Sequence, residues 1–183
     1  MYHFILCIMS HRYIAMELCV GTLKDLVEGT LKEDLKGRGL PSPGPNEEIL
    51  RQITSGLQFL HSKQIVHRDI KPINILISDK GIVKLTDFGL CKEKKEGATG
   101  FSFTGNVGSL DWAAPELLEL RRLKEEGSRV VDSKFKFAVD VFSLGCVFCY
   151  VLTGGKHPFG DDYYDRIQNI RTGESTKNNF DSK

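Results

Sequence analysis

The sequence predicts an α+β fold in which a few short strands come first and a larger, mainly helical part follows. Apolar runs of strand length occur near the start, at residues 4–8 and 13–18. Two longer segments with helical apolar patterning occur at residues 46–60 and 138–153. With 183 residues, 40% of them hydrophobic, the chain can form the core of one domain or of a large piece of one.

Local patterns place the first helices. Thr22, followed three residues later by Asp25, is typical of a short helix's first turn, because both side chains can satisfy its free N–H groups. Prolines and glycines make residues 37–45 a predicted loop. Asn46 is expected to cap the next helix. The apolar residues of that helix recur at helical spacing: Ile49, Leu50, Ile53, Leu57 and Leu60.

Short strands and two further helices complete the predicted elements. β-type runs occur at residues 65–66, 75–77 and 82–85. Residues 91–111 are rich in Gly, Ser, Thr and Lys and read as a loop. Pro115 is expected to open a short helix that ends at Leu120, before a charged connector over 121–136. Residues 138–153 are apolar almost all round, which predicts a helix buried on every side.

Charge and cysteine content exclude several classes of function. The net charge of +1 provides no long-range attraction to nucleic acid or to an anionic membrane. Five cysteines without framework spacing favour a reducing compartment and free thiols. Cys146 and Cys149 form a C-x-x-C pair, for which core packing is favoured over a metal or redox site. Residues 4–9 are too few to span a bilayer, so the segment is expected to be cytoplasmic, without a membrane span.

Four motifs carry the chemistry, and their order makes them specific. Residues 67–74 read HRDIKPIN, 87–89 read DFG, 114–116 read APE and 140–145 read DVFSLG. The set resembles the signature of eukaryotic protein kinases over about residues 4–160. We call residues 67–74 the catalytic loop.

The resemblance implies a protein-kinase-like fold with a mainly helical large lobe and only the last strands of a small lobe. Residues 1–18 correspond to these strands, 19–21 to the hinge, 22–171 to a truncated large lobe and 172–183 to a polar tail. The N-terminal part of the small lobe is expected to be absent. No lysine precedes Lys24, and no Gly-rich loop precedes the hinge.

The resemblance also assigns catalytic roles. Phosphoryl transfer requires positioning and charge neutralisation more than covalent chemistry. Asp69 corresponds to the residue that meets the substrate hydroxyl, and Lys71 to the lysine that stabilises the transferred phosphate. Asn74 and Asp87 correspond to ligands of Mg²⁺, which acts together with ATP. A lysine two residues after the aspartate is the Ser/Thr pattern, so the implied partners are protein substrates with Ser or Thr. Taken alone, Asp69 could be a solvated loop acid and Lys71 a surface lysine.

Further residues correspond to the nucleotide site and to its supports. From the residue type alone Met16 is expected to pack in the core, and by resemblance it also matches the residue beside the adenine. Glu17 and Cys19 correspond to the adenine-binding hinge. Lys71, Asn74 and Asp87 complete the nucleotide-binding set. The implied structural residues are His67 and Phe88, which stack, Gly89, Asp140, which anchors the catalytic-loop backbone, and Glu116, which pairs with a later arginine.

The segment 90–113 between the second and third motifs, which we call the activation loop, contains serine and threonine residues that are candidates for regulation. Ser102, Thr104 and Ser109 are candidate phosphorylation sites, and a phosphate there could pair with Arg68. Serine and threonine are common in loops, so an unmodified loop hydroxyl remains an alternative for each.

Three short sequence segments narrow the assignment to one family of protein kinases. Residues 13–19 (YIAMELC), 87–92 (DFGLCK) and 155–160 (GKHPFG) resemble the inositol-requiring kinase/endonuclease family of the unfolded protein response. This resemblance implies a stress-signalling role, self-association as a homodimer, and a parent protein in the ER membrane whose kinase faces the cytosol. Because the Gly-rich loop and its lysine are missing, we expect no Mg²⁺-dependent phosphate transfer to a generic Ser/Thr peptide from this chain alone. The alternatives are an inactive nucleotide-binding or dimerising scaffold, or a truncated gene model without function.

Overall fold

The computed structural model shows the expected mixture of strands and helices. It describes residues 4–8, 11–15, 17–94, 97, 99–102, 108–127 and 134–176. Within these residues the strands are β1 (Phe4–Ile8), β2 (His11–Ala15), β3 (Cys19–Thr22), β4 (Ile65–Val66), β5 (Ile75–Ser78), β6 (Val83–Leu85), β7 (Lys92–Glu93), β8 (Phe101–Ser102) and β9 (Lys134–Phe135). The α-helices are α1 (Leu23–Val27), α2 (Thr30–Gly37), α3 (Asn46–Ser62), α4 (Pro115–Glu125), α5 (Ala138–Leu152) and α6 (Tyr163–Thr172).

All the sheets described are small and antiparallel. β1 pairs with β2, β3 with β5, β5 with β6, β4 with β7, and β8 with β9. The strand expected over 13–18 is wrong at its end, because β2 stops at Ala15 and the Leu18 side chain is 83% exposed. Residues 19–21, expected as the hinge, lie in β3. The loop expected over 91–111 contains the short strands β7 and β8.

The first helix begins as predicted and the third does not. The Thr22 hydroxyl accepts a hydrogen bond from Asp25 N at 3.1 Å, and the Asp25 carboxylate accepts one from Thr22 N at 2.9 Å. Asn46 is already helical, so its predicted capping role is wrong. Pro45 is the N-cap instead, and its carbonyl accepts a hydrogen bond from Ile49 N at 3.1 Å.

Helix α4 is longer than predicted, because it continues past Leu120 to Glu125 into the expected connector. Arg122 forms ion pairs at 2.6 Å with both Glu119 and Glu126. These partners lie one turn away on either side, and pairs at this spacing stabilise a helix. The charges that suggested a connector therefore support another helical turn.

The core lies between α3, the β5–β6 hairpin and α5. Cys146 and Cys149 are buried in α5, as predicted, and burial raises the pKa of Cys146 to about 12. Burial of α5 on every side is wrong for the described residues, since Val141 is 56% and Leu152 is 59% exposed. None of the helices described is both long and apolar enough to span a membrane.

Candidate active site

The catalytic loop connects β4 to β5 and is anchored by a buried carboxylate on α5. The Asp140 side chain is fully buried. Its Oδ2 accepts a hydrogen bond from His67 N, and its Oδ1 accepts one from Arg68 N, both at 2.8 Å. Two consecutive backbone N–H groups are thus held by one side chain more than 70 residues later in the sequence.

Arg68 holds a backbone conformation that is unfavourable for any residue with a Cβ. Its φ is 69°, in the left-handed region, which costs on the order of 1–3 kcal/mol. The hydrogen bond to Asp140 fixes its N–H, and its Nε donates to the carbonyl of Leu90 at 2.6 Å. The Arg68 side chain therefore also joins the catalytic loop to the start of the activation loop.

His67 ties the catalytic loop to the DFG segment. The side chain is fully buried, and burial lowers the pKa of His67, which favours the neutral imidazole. Its Nε2 lies 3.0 Å from the carbonyl oxygen of Thr86, so this nitrogen donates. The ring centroids of His67 and Phe88 are 5.3 Å apart. The imidazole thus contacts the segment carrying Asp87 through both a hydrogen bond and a ring.

The Asp69 carboxylate is the point where the sequence-predicted residues meet. Its Oδ1 accepts a hydrogen bond from Ser109 N at 2.8 Å. Its Oδ2 lies 2.9 Å from Lys71 Nζ and 2.8 Å from Asn74 Nδ2. Lys71 Nζ also donates to the Ser109 hydroxyl at 2.6 Å. Three catalytic-loop residues and one activation-loop residue thus share one small polar cluster.

These contacts keep Asp69 ionised. Burial alone would raise the pKa of Asp69, but the hydrogen bonds from Ser109 N, Lys71 and Asn74 outweigh it and lower the pKa. An ionised carboxylate only accepts hydrogen bonds. The Asp69 carboxylate can therefore accept a hydrogen bond from a hydroxyl group and so orient it.

Asn74 and Asp87 provide oxygen atoms of the kind that Mg²⁺ prefers. The Asn74 Nδ2 donates to the carboxylate and to the carbonyl of Asp69, at 2.8 and 2.9 Å. In this amide orientation, Asn74 Oδ1 is available to a cation. Asp87 is exposed and has a left-handed φ of 64°. Its carboxylate accepts a long, weak hydrogen bond from Gly89 N, at 3.4 Å. Both side chains therefore offer oxygen atoms of a type that could serve as Mg²⁺ ligands.

Such a site would leave several ligand positions to water and phosphate. No group of three or more His, Cys, Asp or Glu side chains in the described residues could hold a metal ion. Mg²⁺ usually keeps several waters and is bound through one or two carboxylates plus substrate phosphates. The small number of protein ligands, Asn74 and Asp87, agrees with this mode of Mg²⁺ binding.

The predicted hinge lies beside the hairpin that leads to Asp87. Met16 lies outside the described residues. Glu17 forms an ion pair with Lys84 of β6 at 2.7 Å, and this hydrogen bond lowers the pKa of Glu17. Cys19 begins β3, and burial raises the pKa of its thiol. The hinge residues and the metal-ligand candidate thus border the same three-stranded sheet.

Two of the remaining predicted residues, Glu116 and Ser102, lie in other elements. Glu116 is exposed near the start of α4, and it forms no ion pair with any residue that the structure describes. Arg166 of α6 pairs with Asp111 instead, at 3.2 Å. Ser102 lies in β8, and Thr104 falls outside the described residues.

Sequence reasoning missed Gly108, which lets the two loops touch. A Cβ at this position would lie 2.7 Å from the Arg68 carbonyl oxygen and closer still to Asp69 Oδ1. Only glycine allows the hydrogen bond from Ser109 N to Asp69 at this distance. The glycine just before a predicted site serine was the available signal.

Comparison with known proteins decides the family. The family model described as protein kinase domain matches residues 3–182. The chain belongs to the protein kinase family. It is 48% identical over 167 residues to the serine/threonine-protein kinase/endoribonuclease IRE2 of Homo sapiens. It is 39% identical over 175 residues to the serine/threonine-protein kinase/endoribonuclease ire-1 of Caenorhabditis elegans.

These matches cover most of the chain but little of the relatives. They include 88% and 91% of the kinase chain, which spans only 16% of either relative. The crystal structure of the yeast RNA Pol II CTD kinase CTDK-1 complex matches with a TM-score of 0.65 and 25% identity, over 92% of this chain and 50% of that chain. The predicted kinase fold and the resemblance to the kinase/endonuclease family are confirmed.

Replacing Gly108 with alanine should separate the activation loop from the catalytic loop. The added methyl group overlaps backbone and carboxylate oxygens that cannot move away easily. We expect amide exchange of Ser109 to rise about 10-fold or more, as for a lost hydrogen bond to a charged group. Gly145→Ala on the exposed face of α5, where nothing lies within 4 Å of the new atom, is the control. Unchanged Ser109 exchange in Gly108→Ala would contradict this role.

The lowered pKa of Asp69 also predicts a pH dependence of stability. Its ionised form stabilises the fold above the unfolded-state pKa of about 3.9, and this contribution is lost as the pH falls through the lower folded-state pKa. Asp69→Asn resembles the protonated form. Urea unfolding should therefore show a larger stability difference between wild type and Asp69→Asn at pH 7 than at pH 3. A difference that is constant or grows in acid would show that the carboxylate is not stabilised in its charged form.

Proposed function

We propose that this chain provides the catalytic loop and metal ligands of a Ser/Thr protein kinase, which transfers the γ-phosphate of ATP to protein hydroxyl groups. The observation that carries the proposal is the Asp69 cluster, in which an ionised carboxylate lies within 2.9 Å of the Lys71 amine. Its relatives are named as serine/threonine-protein kinase/endoribonucleases, which agrees with this activity.

Each residue of the cluster has a defined role in the proposal. Asp69 orients the substrate hydroxyl group and accepts its proton. Lys71 places a positive charge beside the phosphate that moves. Ser109 holds both residues from the activation loop, because its N–H binds Asp69 and its hydroxyl binds Lys71.

Asn74 and Asp87 are the proposed Mg²⁺ ligands. Bound Mg²⁺ would neutralise charge on the phosphate oxygens. The Asn74 amide is already oriented by Asp69, so it presents its oxygen without reorganisation. Asp87 is exposed and has few competing partners. We further propose that Glu17, Cys19 and Met16 flank the adenine, by analogy with the family.

Wider features rest on the resemblance alone. A stress-signalling role, a homodimer and a cytosol-facing kinase in an ER-anchored parent are proposals drawn from the relatives. The candidate phosphosites Ser102, Thr104 and Ser109 belong with them. For Ser109, the hydrogen bond from Lys71 means that a phosphate would have to rearrange the Asp69 cluster.

Removal of the Asp87 carboxylate tests the metal assignment. We expect Asp87→Asn to abolish the Mg²⁺ dependence of ATP binding by the chain, measured with a fluorescent ATP analogue across a Mg²⁺ titration. Asp79→Asn, in the exposed turn between β5 and β6, is the matched control and should bind like wild type. Any γ-phosphate transfer to a Ser/Thr peptide should fall about 100-fold or more in Asp69→Asn.

The results of these two measurements distinguish an active kinase with a metal site from the alternatives. Equal Mg²⁺ dependence in wild type and Asp87→Asn would refute the metal site. ATP binding with no transfer beyond that of Asp69→Asn would favour the inactive nucleotide-binding scaffold.

A further inference from the structure

His61 contacts the anchor of the catalytic loop, although it lies outside every motif of the sequence. It is the last but one residue of α3, and its side chain is 19% exposed. Its Nε2 lies 2.8 Å from Asp140 Oδ2, the same oxygen that accepts the His67 N–H. Because a carboxylate only accepts hydrogen bonds, His61 Nε2 is the donor.

The buried carboxylate thus has three donors, two from the backbone and one from a side chain. A fully buried charge is strongly unfavourable unless its hydrogen bonds are satisfied. His61 and His67 share Oδ2, while Arg68 binds Oδ1. The His61 bond therefore fixes the position of the oxygen to which the catalytic loop is attached.

A series of aromatic contacts connects the His61 ring to the activation loop. The His61 and Phe137 ring centroids are 4.5 Å apart. Phe137 meets Phe101 of β8 edge-on, with centroids 5.1 Å apart, and Phe101 is only 3% exposed. β8 pairs with β9, which ends two residues before Phe137. The contacts thus run without a gap from the activation loop to Asp140.

We propose that His61 is a positioning residue that links the packing of the activation loop to the geometry of the catalytic loop. Displacement of Phe101 shifts Phe137 and His61, and Asp140 then loses one of the bonds that orient it for His67 and Arg68. The inference goes beyond the proposed phosphoryl transfer, because it concerns how the backbone before Asp69 is held and requires no nucleotide.

Two substitutions at His61 separate its hydrogen bond from its ring. His61→Phe keeps the ring beside Phe137 and removes the donor, whereas His61→Gln keeps an N–H donor and removes the ring. Amide hydrogen exchange of the whole chain, followed by NMR at His67 and Arg68, is the measurement. We expect exchange at both to rise about 10-fold or more in His61→Phe, and His61→Gln to restore part of the protection.

Two further variants test the remaining links. Phe137→Leu keeps the His61 side chain but removes the ring that packs against it, so it should raise exchange at the same two amides. His157→Phe, another buried histidine that touches Trp112 rather than the catalytic loop, is the control and should leave both amides protected. The proposal is overturned if His61→Phe leaves both amides protected. It is also overturned if His61→Phe and His61→Gln raise exchange alike throughout α3 and α5, which would mean general destabilisation. If His61→Phe does not fold, protection retained in Phe137→Leu overturns the aromatic link.

Discussion

The hydrogen bonds of one buried carboxylate hold the active site in place. Asp140 has no contact with solvent, and within the part of the chain that the structure describes three donors stabilise its charge. Two of these donors are consecutive backbone amides, and the second belongs to a residue in the left-handed region. Without this hydrogen bond, the unfavourable backbone conformation of Arg68 would lose a main support. Asp69 is the next residue, so a change at Arg68 would displace it.

A second constraint is the close approach of the activation loop to the catalytic loop. Ser109 binds Asp69 through its backbone and Lys71 through its hydroxyl, and the approach is close enough to exclude a side chain at residue 108. The cluster is assembled from segments about 40 residues apart. The position of the activation loop therefore determines whether the Asp69 carboxylate has its full set of partners.

The sequence predicted the parts of this arrangement that are local. The capping box at Thr22, the helices α3 and α5 and the identity of the polar residues from 67 to 89 all follow from short patterns. The extension of α4 was missed because charged residues were read as a connector, although at helical spacing they form ion pairs. The exposure of Val141 and Leu152 was missed because apolar character alone does not specify which faces are covered.

Long-range partners could not be predicted from spacing. His61 and Asp140 are 79 residues apart, and nothing local links them. A weaker signal was present, because His61 follows Leu57 by four residues and so continues the apolar stripe of α3. A polar residue on such a stripe requires a buried partner. Gly108 likewise has no local reason to be glycine, and the close approach of the Arg68 carbonyl and the Asp69 carboxylate supplies one.

The structure of the Asp140→Asn variant, determined beside wild type by crystallography, tests the dependence on this carboxylate most directly. Asparagine offers one oxygen where aspartate offers two, so it cannot accept from both His67 N and Arg68 N in the same way. We expect Arg68 to leave its φ of 69° and the 2.8 Å bond from Ser109 N to Asp69 to break. If both are unchanged in Asp140→Asn, the catalytic loop holds its shape without the buried carboxylate.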